Sequence, residues 1–209
     1  MIRLLVVDDQ QLLRRGLKML LQTAEGLEVV GEASDGREAL AMLPRCTPDV
    51  VLTDARMPGM DGLELVAELH SSHPALPVLV LTTFDDEAIV RGSLGAGAAG
   101  FLLKDVSTDR LAEAVREVAN GGLVIDPRVA RIALSGSDSP DRDDSLAVLT
   151  RTERLVGERV AQGMTNAEIA DDLVLAEGTV KNHVSNLLRK LQQRDRTGLA
   201  LVLYRAFHG

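Results

Sequence analysis

The sequence is poor in cysteine, in aromatic residues and in long apolar runs, and each shortage excludes a class of protein or of site. A single cysteine, Cys46, excludes an internal disulfide and a zinc cluster built from thiolates. No apolar run approaches the ~20 residues that a membrane-spanning helix needs, and the N-terminus lacks the basic and then apolar order of a signal peptide. With aromatic residues at 2%, the core must be built from aliphatic side chains. We therefore expect a soluble, cytoplasmic protein without a membrane partner.

Charge is distributed unevenly along the chain. The net charge of −8 would by itself argue against a nucleic-acid partner. Residues 1–134 carry 13 basic and 20 acidic residues, a net −7, residues 135–145 add −3, and residues 146–209 carry +2. Within the last segment, residues 179–209 hold six basic residues and one acidic residue, a local charge of +5. A basic cluster on an acidic chain is a candidate site for a polyanion.

The 209 residues suit two small domains joined by a polar segment. Residues 135–145 are rich in Ser, Asp, Gly and Pro and contain no large apolar residue, which is typical of a linker. We predict a first domain at 1–121, a linker at 122–145 that includes a short helix at 127–134, and a second domain at 146–209.

In the first domain, short apolar runs alternate with amphipathic segments of helical spacing, which predicts an α/β fold. Continuous apolar strands fit a sheet that is buried on both faces, so we expect a doubly wound, five-stranded parallel sheet. The predicted strands are Leu4 to Val7, Leu27 to Val30, Val50 to Leu52, Val78 to Leu81 and Phe101 to Leu103.

The second domain has no strand pattern and is predicted to be a small all-α domain of four short helices. Two Thr-x-x-Glu motifs, which begin at Thr150 and Thr165, have the form of capping boxes, and Asp195 can cap the last helix. A short turn at 174–177 joins two helices of ordinary length, which favours a helix-turn-helix. Periodicity alone leaves other arrangements of these helices open.

Acidic side chains follow two strands that should be neighbours in the sheet. Asp8 and Asp9 end the first strand and Asp54 ends the third, so in a sheet of order 2-1-3-4-5 they converge at the edge where doubly wound sheets bind ligands. A hard divalent cation would cancel their repulsion, and Mg²⁺ suits two carboxylates, water and a phosphate oxygen. Thr82 and Lys104, at the ends of the fourth and fifth strands, offer a hydroxyl and an ammonium to a phosphoryl group. Together these groups predict a phosphoryl-transfer site.

Each of these side chains also has an ordinary structural interpretation. Asp8 or Asp9 could cap the next helix, and Asp54 could stabilise a turn. Thr82 could be a plain strand residue, and Lys104 could be a solvated strand end. Because all five fall at carboxyl ends of predicted strands, where chance would scatter some to the other edge, a shared site is favoured.

Two other motifs resemble functional sites and are better explained by local structure. Residues 95–100, Gly-Ala-Gly-Ala-Ala-Gly, match the dinucleotide-binding fingerprint, but they follow a helix and precede a strand, which reverses the required order. We interpret them as a helix stop and a tight turn. His70 and His73 lie at a helix end before Pro74 without a third ligand, so we expect no metal site there.

One predicted helix of the second domain, at 178–191, separates into two faces. Its apolar residues are predicted to lie in the core: Val180, Val184, Leu187, Leu188 and Leu191. On the other face, Lys181 and Asn182 lie near the helix start, where Lys can donate to guanine and Asn can pair with adenine in the major groove. Solvated surface is the alternative for each polar side chain of this face.

Several of these motifs resemble those of a known family. Residues 3–120 resemble a bacterial response-regulator receiver domain in Val6-Val7-Asp8-Asp9, Ala33-Ser-Asp-Gly-Arg-Glu-Ala39, Asp54-Ala-Arg-Met-Pro-Gly-Met-Asp-Gly62, Leu81-Thr82-Thr83 and Phe101-Leu-Leu-Lys104-Asp105. Residues 149–203 resemble the LuxR-type helix-turn-helix in Asn166-Ala-Glu-Ile-Ala170 and Glu177-Gly-Thr-Val-Lys-Asn-His183. The whole chain resembles the NarL/FixJ class of response regulators.

The resemblance implies a role for each matched residue of the receiver. Asp54 would be the phosphoacceptor, and it would bind Mg²⁺ together with Asp8, Asp9 and the backbone carbonyl of Arg56. Lys104 would pair with the phosphoryl group.

The resemblance also implies two switch residues. Thr82 would be the switch hydroxyl, and Phe101 would be the aromatic side chain that changes rotamer with it. The alternative for Phe101 is plain core packing.

In the second domain the resemblance implies DNA contacts, but the sequence also departs from the family pattern. The base-reading candidates are Lys181, Asn182 and Ser185, and the phosphate-binding candidates are Thr179, Arg189 and Lys190. Thr152 replaces the usual arginine of the first helix, and Gly157 and Arg159 replace two leucines. Because Gly within a helix costs about 1 kcal/mol relative to Ala, we expect this helix to be loosely packed or Arg159 to face outward.

We predict a cytoplasmic transcription factor of a two-component system. Its receiver accepts a phosphoryl group from a histidine kinase with Mg²⁺, which favours a homodimer that binds double-stranded promoter DNA. The receiver catalyses its own phosphorylation, but its output is binding, so we do not class the protein as an enzyme.

Two alternatives use the same residues. One is a regulator that works without phosphorylation, through dimerisation or partner binding. The other is an acyl-phosphate hydrolase with Asp54 as nucleophile, which is disfavoured because Arg56 stands two residues later, where such a mechanism needs a general acid.

Overall fold

The computed structural model of the chain describes residues 1–83, 96–126, 128, 146 and 148–208. Its strands are β1 Ile2–Val7, β2 Leu27–Ala33, β3 Val50–Asp54, β4 Val78–Thr82, β5 Gly100–Leu103 and β6 Val124–Ile125. They form one sheet in the order β2-β1-β3-β4-β5-β6, and all neighbouring strands are parallel. The doubly wound parallel fold predicted from the sequence is confirmed, with six strands in place of the five expected.

The additional strand, β6, lies at the edge of the sheet within the segment predicted as linker at 122–145. It pairs with the first two residues of β5, and the Asp126 amide extends the pairing by donating to the Phe101 carbonyl at 2.9 Å. Two residues are too few for an apolar alternation to be recognised, so no pattern in the sequence marks this strand. The domain boundaries at 121 and 146 stay predictions.

Two sequence predictions fall partly on residues outside the described ranges. The short helix predicted at 127–134 lies outside them except for Arg128. Of the glycine-rich segment at 95–100, Gly95 also lies outside, whereas Gly97 occupies a turn with φ +96° and Gly100 begins β5. A turn before a strand agrees with our interpretation of this segment and not with a dinucleotide-binding loop.

Helices cover both faces of the sheet. Within the described residues they are α1 Gln11–Thr23, α2 Gly36–Cys46, α3 Gly62–Ser72 and α4 Thr108–Ala119. Alternate residues of β1 enter separate apolar clusters, because successive strand side chains point to opposite faces: Leu5 packs with residues of α2 and α3, and Leu4 packs with residues of α1 and α4. This arrangement fixes the sheet edge at which the carboxyl ends of the strands meet.

In the second domain, residues 148–208 form four helices around a smaller core. They are α5 Arg151–Ala161, α6 Asn166–Leu173, α7 Glu177–Lys190 and α8 Arg196–His208. The three predicted caps are present: Thr150 and Thr165 form complete capping boxes, and Asp195 accepts from the Gly198 amide at 2.7 Å. No helix in the described part of the chain has both the length and the apolar character needed to cross a membrane.

The turn between α6 and α7 carries backbone strain. Val174 lies in the left-handed region with φ 55° and is 90% exposed. An L-residue pays about 1 to 2 kcal/mol for this conformation, and a β-branched side chain makes it less favourable still. The turn is retained because the Leu175 amide donates to the Ala170 carbonyl at 2.8 Å, which directs the chain into α7.

The two unusual residues of α5 are both accommodated. Gly157 is buried, and a Cβ atom there would lie 3.3 Å from Leu203, so glycine lets α5 and α8 approach closely. Arg159 donates from Nε to Asp172 at 2.8 Å and keeps a quarter of its side chain exposed. The helix is therefore closely packed at Gly157, and the arginine faces outward to a carboxylate.

The second domain contacts the amino-terminal edge of the sheet. The hydroxyl of Thr197, at the start of α8, donates to the Ala98 carbonyl just before β5. The Leu123 amide, just before β6, donates to the Gly163 carbonyl at 3.4 Å. At Gly122 a Cβ atom would lie 2.8 Å from a Thr165 methyl carbon, so the backbone between α4 and β6 comes close to the first turn of α6. The domains thus meet at the sheet edge opposite the strand ends that carry the acidic side chains.

Candidate phosphoryl-transfer site and nucleic-acid interface

Three carboxylates meet at the carboxyl-terminal edge of the sheet. Asp8 and Asp9 directly follow β1, and Asp54 is the last residue of β3, the neighbouring strand. Each offers an oxygen within 4.8 Å of the others. Asp8 and Asp54 are buried, with 1% and 6% exposure, and Asp9 is exposed. Among the described residues this is the group with metal-ligand spacing, and neither His70 nor His73 belongs to such a group.

The Lys104 ammonium binds two of these carboxylates. Its Nζ lies 3.0 Å from Asp8 Oδ2 and 2.7 Å from Asp54 Oδ2. The lysine follows β5, and its backbone amide donates to the Thr82 carbonyl at 2.8 Å, which continues the pairing with β4. One ammonium offsets one of three negative charges, so the ionised cluster keeps a net charge that suits a divalent cation.

Burial shapes the protonation of this site. Burial raises the pKa of Asp54 above the ordinary value, although its hydrogen bond and charge interaction with Lys104 oppose the shift. Burial alone would lower the pKa of Lys104, but hydrogen bonds to Asp54 and Asp8 outweigh it and raise that pKa. Lys104 is therefore firmly protonated at neutral pH and paired with the carboxylates.

The remaining predicted receiver residues surround this cluster or lie in the core. The Arg56 amide donates to Asp54 Oδ1 at 3.4 Å, and Arg56 lines a surface pocket with Asp9. Thr82 is 1% exposed, and its hydroxyl donates to the Thr83 carbonyl at 3.2 Å. Phe101 is fully buried in the cluster between the sheet, α2 and α3, so the structure places it in the core. The switch roles of Thr82 and Phe101 stay predictions.

The polar face of α7 is open to solvent. Five of the six predicted DNA-contacting residues are exposed: Thr179, Lys181, Asn182, Ser185 and Arg189. Lys181 is 65% exposed and lies 3.5 Å from Glu177, which leaves it free to exchange partners. The apolar face is buried through Val180, Val184 and Leu187, as its spacing predicts. In the described residues, the receiver therefore does not cover the base-side candidates.

Lys190 has partners inside the second domain, and the phosphate contact predicted for it stays a prediction. Its Nζ lies 2.6 Å from Glu153 Oε2 and donates to the Val148 carbonyl at 3.1 Å, so it joins the end of α7 to the start of α5. Glu153 is 4% exposed, and the hydrogen bonds from Lys190 and the Thr150 amide lower its pKa to about 2. The pair is separated by 37 residues, so no local pattern in the sequence predicts it.

Arg196 also contributes less to the basic surface than its charge suggests. Its guanidinium donates to Asn166 Oδ1 at 2.9 Å and to the Met164 carbonyl at 2.5 Å, and burial lowers its pKa to about 10. Arg196 and Lys190 are thus both engaged by part-buried groups of the domain. The exposed charge of the 179–209 segment is smaller than the local +5.

Lys190→Met should destabilise the second domain. Removing the ammonium leaves a buried carboxylate short of its main partner, so we expect a loss of about 3 kcal/mol in unfolding free energy. Urea denaturation of the full chain followed by Tyr204 fluorescence measures it, because Tyr204 is the single tyrosine and the chain has no tryptophan. Arg189→Met, an exposed neighbour on α7, is the matched control and should lose about 0.5 kcal/mol or less.

The pH dependence tests the same pair. The pKa of Glu153 is lower in the folded than in the unfolded state, so its contribution is present above the ordinary value of 4.5 and is lost as pH falls towards about 2. The parent should therefore lose stability across this range more steeply than Lys190→Met. Equal slopes for the two proteins would contradict the assignment.

Two family models match the chain and together cover most of it. Residues 4–116 match the response regulator receiver domain, and residues 147–203 match the bacterial regulatory proteins of the luxR family. The first match contains all of the predicted site residues of the receiver, and the second contains the whole polar face of α7.

Similar proteins have the same two-domain extent. The transcriptional regulatory protein LnrK of Bacillus subtilis is 41% identical over 96% of both chains. The DNA-binding transcriptional activator DevR/DosR of Mycobacterium tuberculosis is 39% identical, over 96% of this chain and 93% of its own. The crystal structure of the response regulator ChrA, of a heme-sensing two-component system, is 34% identical with a TM-score of 0.57, over 98% of this chain and 96% of its own. As its motifs predicted, the chain belongs to the response regulators of two-component systems that join a receiver to a LuxR-type DNA-binding domain, and it is a transcriptional regulator.

Proposed function

We propose that this regulator is switched by phosphorylation of Asp54. The observation that carries the proposal is the position of the Lys104 ammonium between Asp8 and Asp54, with Asp9 close enough to complete an acidic cluster. A carboxylate nucleophile, an ammonium and a hydroxyl at Thr82 at one sheet edge are the groups that phosphoryl transfer needs. The donor in the cell is a phosphorylated histidine of a partner kinase.

In the proposed reaction an Asp54 carboxylate oxygen forms a bond to phosphorus. The bond from phosphorus to the donor imidazole nitrogen breaks, the nitrogen keeps the electron pair, and a proton from solvent completes the neutral ring. Lys104 exchanges its contact with the free Asp54 carboxylate for one with the transferred group, whose negative charge it offsets. Thr82 donates its hydroxyl to another oxygen of that group in place of the Thr83 carbonyl.

The donor set suits magnesium, and we propose Mg²⁺ as the cofactor. Asp8, Asp9, Asp54 and the backbone carbonyl of Arg56 would hold it, because hard oxygen ligands with an excess of negative charge fit this ion. When bound, the ion supplies positive charge that lowers the repulsion between the carboxylates and the incoming phosphoryl group.

For the output, we propose that exposed residues of α7 contact promoter DNA. Lys181, Asn182 and Ser185 are the base-side candidates, and Thr179 and Arg189 are the phosphate-side candidates, while Lys190 is engaged with Glu153. A single small domain covers little DNA, so we propose that phosphorylation favours a homodimer on paired half-sites.

The test is the molar mass and the DNA affinity of the full chain, each measured before and after treatment with acetyl phosphate and Mg²⁺. We expect the mass to double and the affinity for promoter DNA to rise when Asp54 is labelled. If labelling leaves both unchanged, the regulator works without phosphorylation. A phosphoryl group that turns over within the time of mixing would instead favour the hydrolase interpretation.

A further inference from the structure

The chain just after β6 is bound to the loop just after Lys104 by one arginine. Arg128 donates from Nη1 and Nη2 to the two carboxylate oxygens of Asp105, both at 2.9 Å. The same guanidinium donates from Nε and Nη2 to the two oxygens of Asp126, both at 3.0 Å. Two parallel N–H donors hold a carboxylate in one orientation and also pair with its charge. Arg128 therefore sets the distance between the chain after β6 and the loop after Lys104.

One side of this contact is anchored in the sheet. Asp126 is 7% exposed, and its amide donates to the Phe101 carbonyl in β5. The Arg128 hydrogen bonds lower the pKa of Asp126 and of Asp105 below the ordinary value, and hydrogen bonds to both carboxylates raise the pKa of Arg128. An isolated surface ion pair contributes little, but an arginine shared by two carboxylates, one of them buried, is held in one geometry.

The other side of the contact carries the lysine of the acidic cluster. Asp105 directly follows Lys104, and the Lys104 amide donates a hydrogen bond to the Thr82 carbonyl, which fixes the Lys104 backbone on its other side. The position of the backbone at residues 104 and 105 therefore decides whether the Lys104 ammonium reaches Asp8 and Asp54. Arg128 lies beyond the receiver match at 4–116 and within the linker predicted at 122–145.

We propose that Arg128 is a positioning residue for Lys104. By binding Asp105, Arg128 connects the backbone next to Lys104 to the first residues of the linker. The inference rests on the proposed phosphorylation of Asp54. It adds that the phosphoryl-transfer site and the linker are mechanically joined at this arginine, so that a displacement of one moves the other.

The test is the rate at which acetyl phosphate with Mg²⁺ labels the full chain, followed by intact mass. Arg128→Gln and Asp105→Asn should each slow labelling about three- to tenfold, because a small displacement of a charge-stabilising group reduces the rate of transfer. The double variant should be no slower than the slower single variant, since both changes break the same contact. Arg110→Gln is the matched control: Arg110 also pairs with two carboxylates and is 40% exposed against 41% for Arg128, and it should label at the parent's rate.

Two further readouts separate positioning from a general structural effect. Arg128→Lys keeps the charge but not the planar fork, so its labelling rate should lie between those of the parent and Arg128→Gln. Hydrogen exchange of the amides of residues 103–106, measured without acetyl phosphate or Mg²⁺, should be faster in Arg128→Gln than in the parent or in Arg110→Gln.

The outcomes also distinguish this inference from the proposed function. A parent that gains no phosphoryl group would overturn the proposed function, and this inference with it. A labelled parent with Arg128→Gln at the same rate would overturn the inference alone, and so would faster exchange of residues 103–106 without slower labelling, because Arg128 would then be a structural contact only.

Discussion

Asp54→Ala should gain no mass in acetyl phosphate and Mg²⁺ under conditions in which the parent gains one phosphoryl group. The expected loss is complete, because Asp54 is the carboxylate that the Lys104 ammonium approaches at 2.7 Å and the substitution removes the nucleophile itself. Intact mass spectrometry of both proteins over time measures it. Removing Mg²⁺, or changing Asp9 to Ala, should suppress labelling while the receiver stays folded.

Asp49→Ala is the matched control for this prediction. Asp49 directly precedes β3, the same strand that Asp54 ends. The Asp49→Ala substitution therefore removes a carboxylate from the opposite edge of the sheet. This variant should be labelled as the parent is. Equal labelling of Asp54→Ala and the parent would show that another residue accepts the phosphoryl group.

The same experiment has a defined pH dependence. The attacking group is the ionised carboxylate, and burial raises the pKa of Asp54 above the ordinary value of 3.8. As the pH falls, the labelling rate should therefore decline, because both the attack by Asp54 and the binding of Mg²⁺ need ionised carboxylates.

Arg189→Ala and Asn182→Ala should weaken DNA binding in different ways. Each phosphate contact contributes about −0.9 to the slope of log affinity against log salt, so Arg189→Ala should weaken binding to every sequence and flatten the slope by about one unit. A lost base contact with two hydrogen bonds costs about 1 to 3 kcal/mol on the specific site, or roughly five- to 150-fold, and little on random DNA. Asn182→Ala should therefore lose specificity with an unchanged slope.

Salt titrations of phosphorylated protein on specific and scrambled duplexes measure both effects. Arg15→Ala removes an exposed arginine from the receiver, so it controls for the change in net charge and should bind as the parent does. Identical losses for Arg189→Ala and Asn182→Ala on both duplexes would show that the assigned roles are wrong.

The position of the acidic cluster could be predicted because it depends on topology alone. Once five apolar runs indicate a parallel sheet, every residue that ends a strand lies at one edge, and Asp8 and Asp54 meet if their strands are neighbours. The core face of α7 could be predicted equally well, because Val180, Val184 and Leu187 recur at helical spacing.

Contacts between side chains far apart in sequence could not be predicted. Glu153 was recognised as the glutamate of a capping box, but its ion pair with Lys190 depends on how α5 and α7 pack. Arg128 was assigned only to a linker, because the strand that brings it to Asp105 has two residues. In both cases the partner lies far away in the sequence and is brought close only by the tertiary structure.

The contact between the two domains bears on how such regulators can be assembled from interchangeable parts. On the receiver side it offers the Ala98 carbonyl, the Leu123 amide and the open backbone at Gly122, which present atoms common to all residues or the lack of a side chain. The contact also has an apolar part, because Leu201 of α8 packs against the receiver core and Leu123 packs against the core of the second domain. A different DNA-binding domain therefore needs a donor in the place of Thr197, a compact turn at Thr165 and an apolar side chain in the place of Leu201 to fit this surface. Recombination between receivers and output domains, natural or designed, is thus limited by a few backbone positions and by apolar packing.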